Sequence, residues 1–191
     1  MTDVGGGWIV IMRRGKFGNS RVTQFNKTWN EYKIGFGQLD DEFWLGNELI
    51  HLLTTMNANE LQIDLEAENG DFISLRYDHF EISDESDGYR LKIGKPKSVI
   101  PNVEKIASSF RNHNHAAFST YDRDNSGGWA NCALKYGGGW WFDSIKCHYV
   151  FLNAMHSNYV ERRRSAPEGI IWQSWKNETL KAVQMKIRTK H

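Results

Sequence analysis

Residues 122–141 read DRDNSGGWANCALKYGGGWW, from Asp122 to Trp141, and they decide what kind of domain this chain forms. Asp122, Asp124 and Ser126 place oxygen-bearing side chains at alternate positions and run into Gly127, as a short loop wrapping a hard cation does. The run matches the opening of an EF-hand loop, but its twelfth position is Ala133 rather than glutamate, and no helix pair flanks it. An ion-free Asp/Asn/Gly turn reads the same residues more simply. Glycine and aromatic residues follow, with neither the helical nor the strand hydrophobic period. Residues 119–178 share this character, which marks either a functional loop region or disorder. Their tryptophans argue against disorder.

Regular patterning surrounds this stretch. Trp8 to Met12 reads as a short apolar strand. Thr28 followed by Glu31 is a capping-box signature, opening a helix that stops at Gly35 and Gly37. Leu49, Ile50, Leu52 and Leu53 predict one face of a second helix beginning near Asn47. The period then becomes two: Leu61, Ile63 and Leu65 alternate with polar residues, Asn69-Gly70 supplies a turn, and Ile73, Leu75 and Tyr77 alternate again. That pattern predicts a hairpin. Ile100 to Phe110 suggests a short helix, and Val183, Met185 and Ile187 a closing strand. No repeat, low-complexity tract or clear linker appears.

Composition excludes several classes. At 191 residues and 40% hydrophobic the protein can bury a core without obligatory disulfides. Lys+Arg at 24 against Asp+Glu at 23 lacks the positive excess of a nucleic-acid binder. The apolar stretch at Trp8–Met12 is too short for a membrane span or a signal-peptide core. No nucleophile elbow, zinc-protease, P-loop or dinucleotide motif occurs. His113 and His115 read as a solvated loop, and Arg162-Arg163-Arg164 as a solvated loop or an anion contact. Cys132 and Cys147 are either two inert buried thiols or a bridge, and a bridge implies an oxidising compartment. Their spacing is not that of a zinc knuckle. The nine aromatics between Tyr121 and Tyr159 form either a local core or an aromatic-walled pocket.

The sequence resembles the fibrinogen C-terminal, or fibrinogen-related, domain family of ficolins, tachylectins, angiopoietins and tenascins, from Gly5 to about Arg188. The resemblance rests on Gly5-Gly6-Gly7-Trp8, Thr28-Trp29-Asn30-Glu31-Tyr32, and Gly35-Phe36-Gly37 leading to Glu42-Phe43-Trp44-Leu45-Gly46. It continues through Asp122-Arg123-Asp124-Asn125, Asn131-Cys132-Ala133, the Gly-Gly-Trp-Trp block ending at Trp141, Gly169-Ile170-Ile171-Trp172 and Met185-Lys186-Ile187-Arg188. It implies an α+β fold. A mainly antiparallel twisted sheet with short helices spans 1–118 and is completed by the strand 180–189. A loop-rich calcium- and ligand-binding subdomain spans 119–179. It also implies a Cys132–Cys147 bridge, an extracellular protein and no enzymatic activity. The implied function is lectin-like binding of acetylated glycans in innate-immune recognition. The alternative is a protein-binding module for a receptor or matrix partner, of angiopoietin or tenascin type. Neither nucleic acid nor membrane insertion is implied, and any oligomer would form through regions outside this sequence.

In the acetyl-binding members the bond before the second cysteine is cis, which places that bond here at Lys146–Cys147. The N–H groups of Cys147 and His148 would then face an acetyl carbonyl, with Tyr136, Tyr159 and Val160 completing the pocket. For Ca2+ the resemblance implies Asp124 and Ser126, with carbonyls near Gly128 and Ala130. Ser126 stands where the family usually has a second carboxylate, a loss for which Asp122 would compensate. Other departures lie beside the pocket: about two extra residues around Ile145 and Lys146, a shorter 148–159 stretch, a basic insertion from Glu161 to Glu168, and Phe151-Leu152-Asn153-Ala154 in place of the usual Asn-Leu-Asn-Gly. The family's amino-terminal subdomain does not appear, so the resemblance implies an incomplete domain: either a fragment, or a sheet that lacks an edge element and exposes one. No signal peptide is present in this sequence. Asn26-Lys27-Thr28 and Asn177-Glu178-Thr179 are glycosylation sequons.

Overall fold

The computed structural model describes residues 7–15, 23–97, 102–154, 169–176 and 178–190. Expectations falling on Gly5-Gly6, Ile100, Tyr159, Val160, Arg162–Arg164 and Asn177 lie outside these residues. In sequence order the elements are β1 (Ile9–Arg14), α1 (Trp29–Ile34), β2 (Phe36–Gly37), β3 (Phe43–Trp44), α2 (Asn47–Thr55), β4 (Asn59–Ala67), β5 (Phe72–Tyr77), β6 (Phe80–Ile82), β7 (Leu91–Ile93), α3 (Val103–Arg111), α4 (Cys132–Tyr136), β8 (Val150–Phe151), β9 (Ile171–Trp172) and β10 (Leu180–Thr189). A six-stranded sheet runs β2-β3-β1-β10-β4-β5, every neighbouring pair antiparallel. The pairs β6-β7 and β8-β9 form separate two-stranded units.

Sequence pattern sets the sheet register. Leu61, Ile63 and Leu65 of β4 lie opposite Tyr77, Leu75 and Ile73 of β5, as the alternation predicts. At the turn, Gly70 takes φ +88°, and the Asp71 N–H donates to Asn69 Oδ1 at 3.0 Å. A one-residue slip would carry the apolar set to the opposite face, so burial fixes the pairing. β10 closes between β1 and β4 with Val183, Met185 and Ile187 buried. One end of the sheet is partly covered, because Pro96 bridges Tyr77 and the Lys97 N–H donates to the Arg76 carbonyl.

Helix α1 carries the full capping box. The Thr28 hydroxyl accepts the Glu31 N–H, and the Glu31 carboxylate accepts the Thr28 N–H at 2.9 Å. In α2 the expected face is only half right. Ile50 is buried, but Leu49 and Leu52 are exposed, because Thr54 turns inward and donates to the Ile50 carbonyl and its hydroxyl accepts the Ile82 N–H.

The core is aromatic. Trp44, Trp140, Trp141 and Trp172 are fully buried, with Tyr32, Tyr89 and Phe118 among them. Glycine lets these rings close on backbone: a Cβ at Gly139 would lie 2.7–2.9 Å from Tyr32 and Phe118 ring carbons. At Gly138 it would lie 2.3 Å from the Asn153 carbonyl oxygen. The Gly-Gly-Trp-Trp block is therefore a packing device rather than a flexible hinge.

Among the described residues one ion pair sits wholly inside. Arg14 Nε donates to Glu42 at 3.2 Å, and Arg14 Nη1 donates to the carbonyls of Leu152 and Ala154 at 3.2 and 2.7 Å. Glu42 also accepts the N–H groups of Gly15 and Thr23, both at 2.9 Å. Burial pulls the guanidinium below its ordinary pKa, opposed by Glu42 and Tyr32. Removing one partner strands the other charge without water. Glu42→Ala is therefore expected to lower the unfolding free energy by about 3–5 kcal/mol, measured by urea denaturation.

Candidate functional site

The site region is built outward from α4. The Asn131 side-chain oxygen caps it by accepting the Leu134 N–H at 2.8 Å, and Gly137 ends it in the left-handed region. A disulfide joins Cys132, the first residue of α4, to Cys147. The bridge sets the 143–148 loop against α4. Tyr136, on the last turn, meets the His148 ring edge-on, with centroids 4.6 Å apart at 79°. His148 in turn stacks on Phe151 at 5.4 Å and 28°.

His148 is buried at 5% exposure, yet neither ring nitrogen has a hydrogen-bond partner among the described residues. The same holds for Trp140 Nε1 and Asn153 Oδ1. Burial draws the His148 pKa down to about 4, with His113 and Lys135 adding like-charge repulsion. The ring is therefore neutral at physiological pH, offering one N–H donor and one acceptor nitrogen between two aromatic faces. Buried polar atoms are normally paired, so the His148 ring calls for a partner that the described residues do not supply.

His113 corrects the reading of a solvated histidine pair. It is fully buried, with Nδ1 2.7 Å from the Trp141 carbonyl and Nε2 accepting the N–H groups of Tyr149 and Val150, both at 3.1 Å. Those partners place its proton on Nδ1. Burial lowers its pKa to about 4. His113 fixes the backbone immediately after His148. His115 is the exposed member of the pair.

The loop before His148 departs from expectation. No described peptide bond is cis, so Lys146–Cys147 is trans, and Cys147 instead adopts φ +67°. Asp143 and Cys147 exchange backbone hydrogen bonds of 2.7 and 3.0 Å, while Asp143 Oδ1 accepts the N–H groups of Ile145 and Lys146. The extra residues around Ile145 and Lys146 thus close a self-contained turn. That turn engages the Cys147 N–H, which is not free to meet an acetyl carbonyl. Lys146 is exposed, its Nζ 5.1 Å from the Tyr149 ring centre.

The calcium set is also altered. Asp122 is held against α1: its Oδ1 accepts the Trp29 N–H at 2.9 Å and the Thr120 hydroxyl at 2.7 Å. Asp124 Oδ1 instead accepts both the Ser126 N–H and the Ser126 hydroxyl, at 3.0 and 2.7 Å. The position of the second family carboxylate thus carries a donor here, and its hydroxyl is spent on Asp124. No group of three His, Cys, Asp or Glu side chains able to share an ion occurs among the described residues. These residues do not fit a tight calcium site, for which several charged oxygens are needed.

The sequence did not point to Phe151 as a neighbour of His148, nor to Asp143 as the organiser of the turn. Asp143 carried a signal, since an aspartate two and three residues before Ile145 and Lys146 can cap their N–H groups. Phe151 carried none.

Residues 1–190 match the family model described as fibrinogen beta and gamma chains, C-terminal globular domain. The protein is 38% identical to bovine (Bos taurus) fibroleukin over 205 residues, covering 100% of this chain and 44% of that protein. It is 39% identical to techylectin-5A of Tachypleus tridentatus over 190 residues, covering 98% of this chain and 61% of that protein. It thus spans less than two thirds of these relatives. Among solved structures it is similar to the fibrinogen-like globe domain of human ANGPTL6, with a TM-score of 0.84, 35% identity, and 99% of this chain and 81% of that one covered. Lamprey fibrin D-dimer, complexed with the peptide Gly-His-Arg-Pro-amide, superposes with a TM-score of 0.80 at 32% identity, covering 98% of this chain and 62% of that one.

Two outcomes are expected. As pH falls, the unfolded chain protonates its histidines near 6.5, while folded His113 and His148 resist until about 4. The unfolded state then binds more protons, so stability falls from pH 6.5 to 4.5, by up to about 3 kcal/mol per histidine over the whole interval. Denaturant titrations across this window measure it above the main range of carboxylate titration. Separately, millimolar calcium is expected to leave the melting temperature nearly unchanged. In Ser126→Asp the same calcium raises it by about 3 °C or more, read by scanning calorimetry.

Proposed function

Because this protein belongs to the family of C-terminal globular domains of fibrinogen beta and gamma chains, whose members are non-enzymatic binding modules, we propose that it is a lectin-like recognition domain for acetylated glycans. Its homologues are secreted or extracellular recognition proteins, a lectin among them, and domains of the family often bind calcium. The observation that carries the proposal is His148, a neutral buried imidazole with both nitrogens unpartnered among the described residues, beneath the ring of Tyr136. An acetamido group supplies part of what this arrangement lacks: its carbonyl accepts from the imidazole N–H and its methyl packs on aromatic faces. Tyr159 and Val160 belong to the same proposed pocket.

A protein-binding role is favoured by a different observation. Trp129, Leu134 and Ile145 are exposed at 106%, 68% and 88%, and the Gly128 backbone adjoins the Ser144 carbonyl, so the Trp129 and Ile145 loops meet. Large exposed apolar side chains grouped this way mark contact surfaces.

One titration separates the readings. N-acetylglucosamine is expected to perturb tryptophan fluorescence and the His148 NMR signals at millimolar concentrations, while glucose does not. Tyr136→Ala should weaken the response at least tenfold. No response at tens of millimolar would sink the glycan reading and leave the Trp129–Ile145 surface as the functional one.

A further inference from the structure

Asn26-Lys27-Thr28 is a sequon that the proposed pocket does not use. Its asparagine lies at the centre of a tight turn, because the Lys27 N–H donates to the Phe25 carbonyl at 3.0 Å. The turn is anchored on both sides. Phe25 is buried, and its carbonyl also accepts the Tyr32 hydroxyl at 2.7 Å. Lys27 Nζ pairs with Glu31 at 2.9 Å. Between these anchors Asn26 is exposed, and its side chain makes no hydrogen bond with any described residue. The fold requires nothing of the Asn26 amide and leaves it open to solvent.

Thr28 is different. Its hydroxyl accepts the Glu31 N–H at 3.2 Å and donates to the Glu31 carboxylate at 2.9 Å, so it is committed to the α1 capping box once the helix forms. A transferase that reads the sequon hydroxyl must therefore act before α1 closes. The bridge between Cys132 and Cys147 places folding in an oxidising compartment, the one in which such transfer occurs.

We propose that Asn26 is an N-glycan acceptor. The donor class is a polyprenyl-pyrophosphate-linked oligosaccharide. Asn26 Nδ2 bonds to C1 of the first sugar as the C1–O bond to pyrophosphate breaks. The pyrophosphate leaves with the electron pair, Nδ2 loses one proton to a base, and no oxidation state changes.

The test uses the whole protein secreted from a eukaryotic host, taking only material shown to be bridged and cooperatively folded. Peptide mass spectrometry after peptide-N-glycosidase treatment is expected to find Asn26 converted to Asp, and separates it from Asn177. Asn26→Gln should remove that mass tag and its gel shift while leaving the melting temperature of the deglycosylated protein unchanged. Thr28→Ser should keep both the glycan and the cap. Thr28→Ala should lose the glycan and also melt below Asn26→Gln, because it removes the cap as well. Folded, bridged, secreted protein with Asn26 unmodified would overturn the proposal.

Discussion

Arg14 is completely buried, and the placement of the site depends on what its Nε and Nη1 donors hold. Its strand belongs to the six-stranded sheet, its carboxylate partner Glu42 stands just before β3, and its remaining contacts include the carbonyls of Leu152 and Ala154. One guanidinium therefore ties the sheet to the segment that carries Phe151 and Asn153. Phe25 closes the arrangement from another side, its ring 3.8 Å from the guanidinium carbon. A charge in so dry a position persists only while each of these partners holds it. The backbone at Ala154 is consequently held at a fixed point of the fold.

Around that tie the glycine–aromatic stretch does the packing. Gly138 and Gly139 bring backbone against Asn153, Tyr32 and Phe118, which lets Trp140 and Trp141 enter the core side by side. The Trp141 carbonyl then receives His113, and His113 receives Tyr149 and Val150. A single path of contacts thus runs from the core tryptophans through a neutral imidazole to the backbone next to His148. The disulfide fixes the other approach to His148, from Cys147 back to α4.

Much of this was legible in the sequence wherever a local rule and the tertiary packing agree. The Leu61–Leu65 and Ile73–Tyr77 alternation produced its own register, and Thr28 with Glu31 produced its own cap. The pattern misled where packing outranked periodicity: Leu49 and Leu52 look like core on a helical wheel, but Thr54 takes the inward place by bonding across to β6. His113 was unreadable for a related reason. A histidine beside polar residues looks solvated until backbone donors from a segment dozens of residues away arrive to meet it. Motif matching located Tyr136, Cys147 and His148 as neighbours. It could not foresee that residues around Ile145 would redirect the backbone between them.

That redirection changes which atoms can recognise a ligand. With Cys147 at φ +67° and its N–H bonded to Asp143, the loop satisfies itself. A left-handed non-glycine residue is strained, and here the disulfide on one side and the Asp143 turn on the other hold it in place. The polar atoms left without a partner among the described residues are then those of the His148 side chain. Burial keeps that ring neutral, and a neutral imidazole can donate at one nitrogen and accept at the other. An imidazolium would offer two donors and no acceptor. The low pKa of His148 is a consequence of its burial against Tyr136 and Phe151, with His113 and Lys135 adding like-charge repulsion.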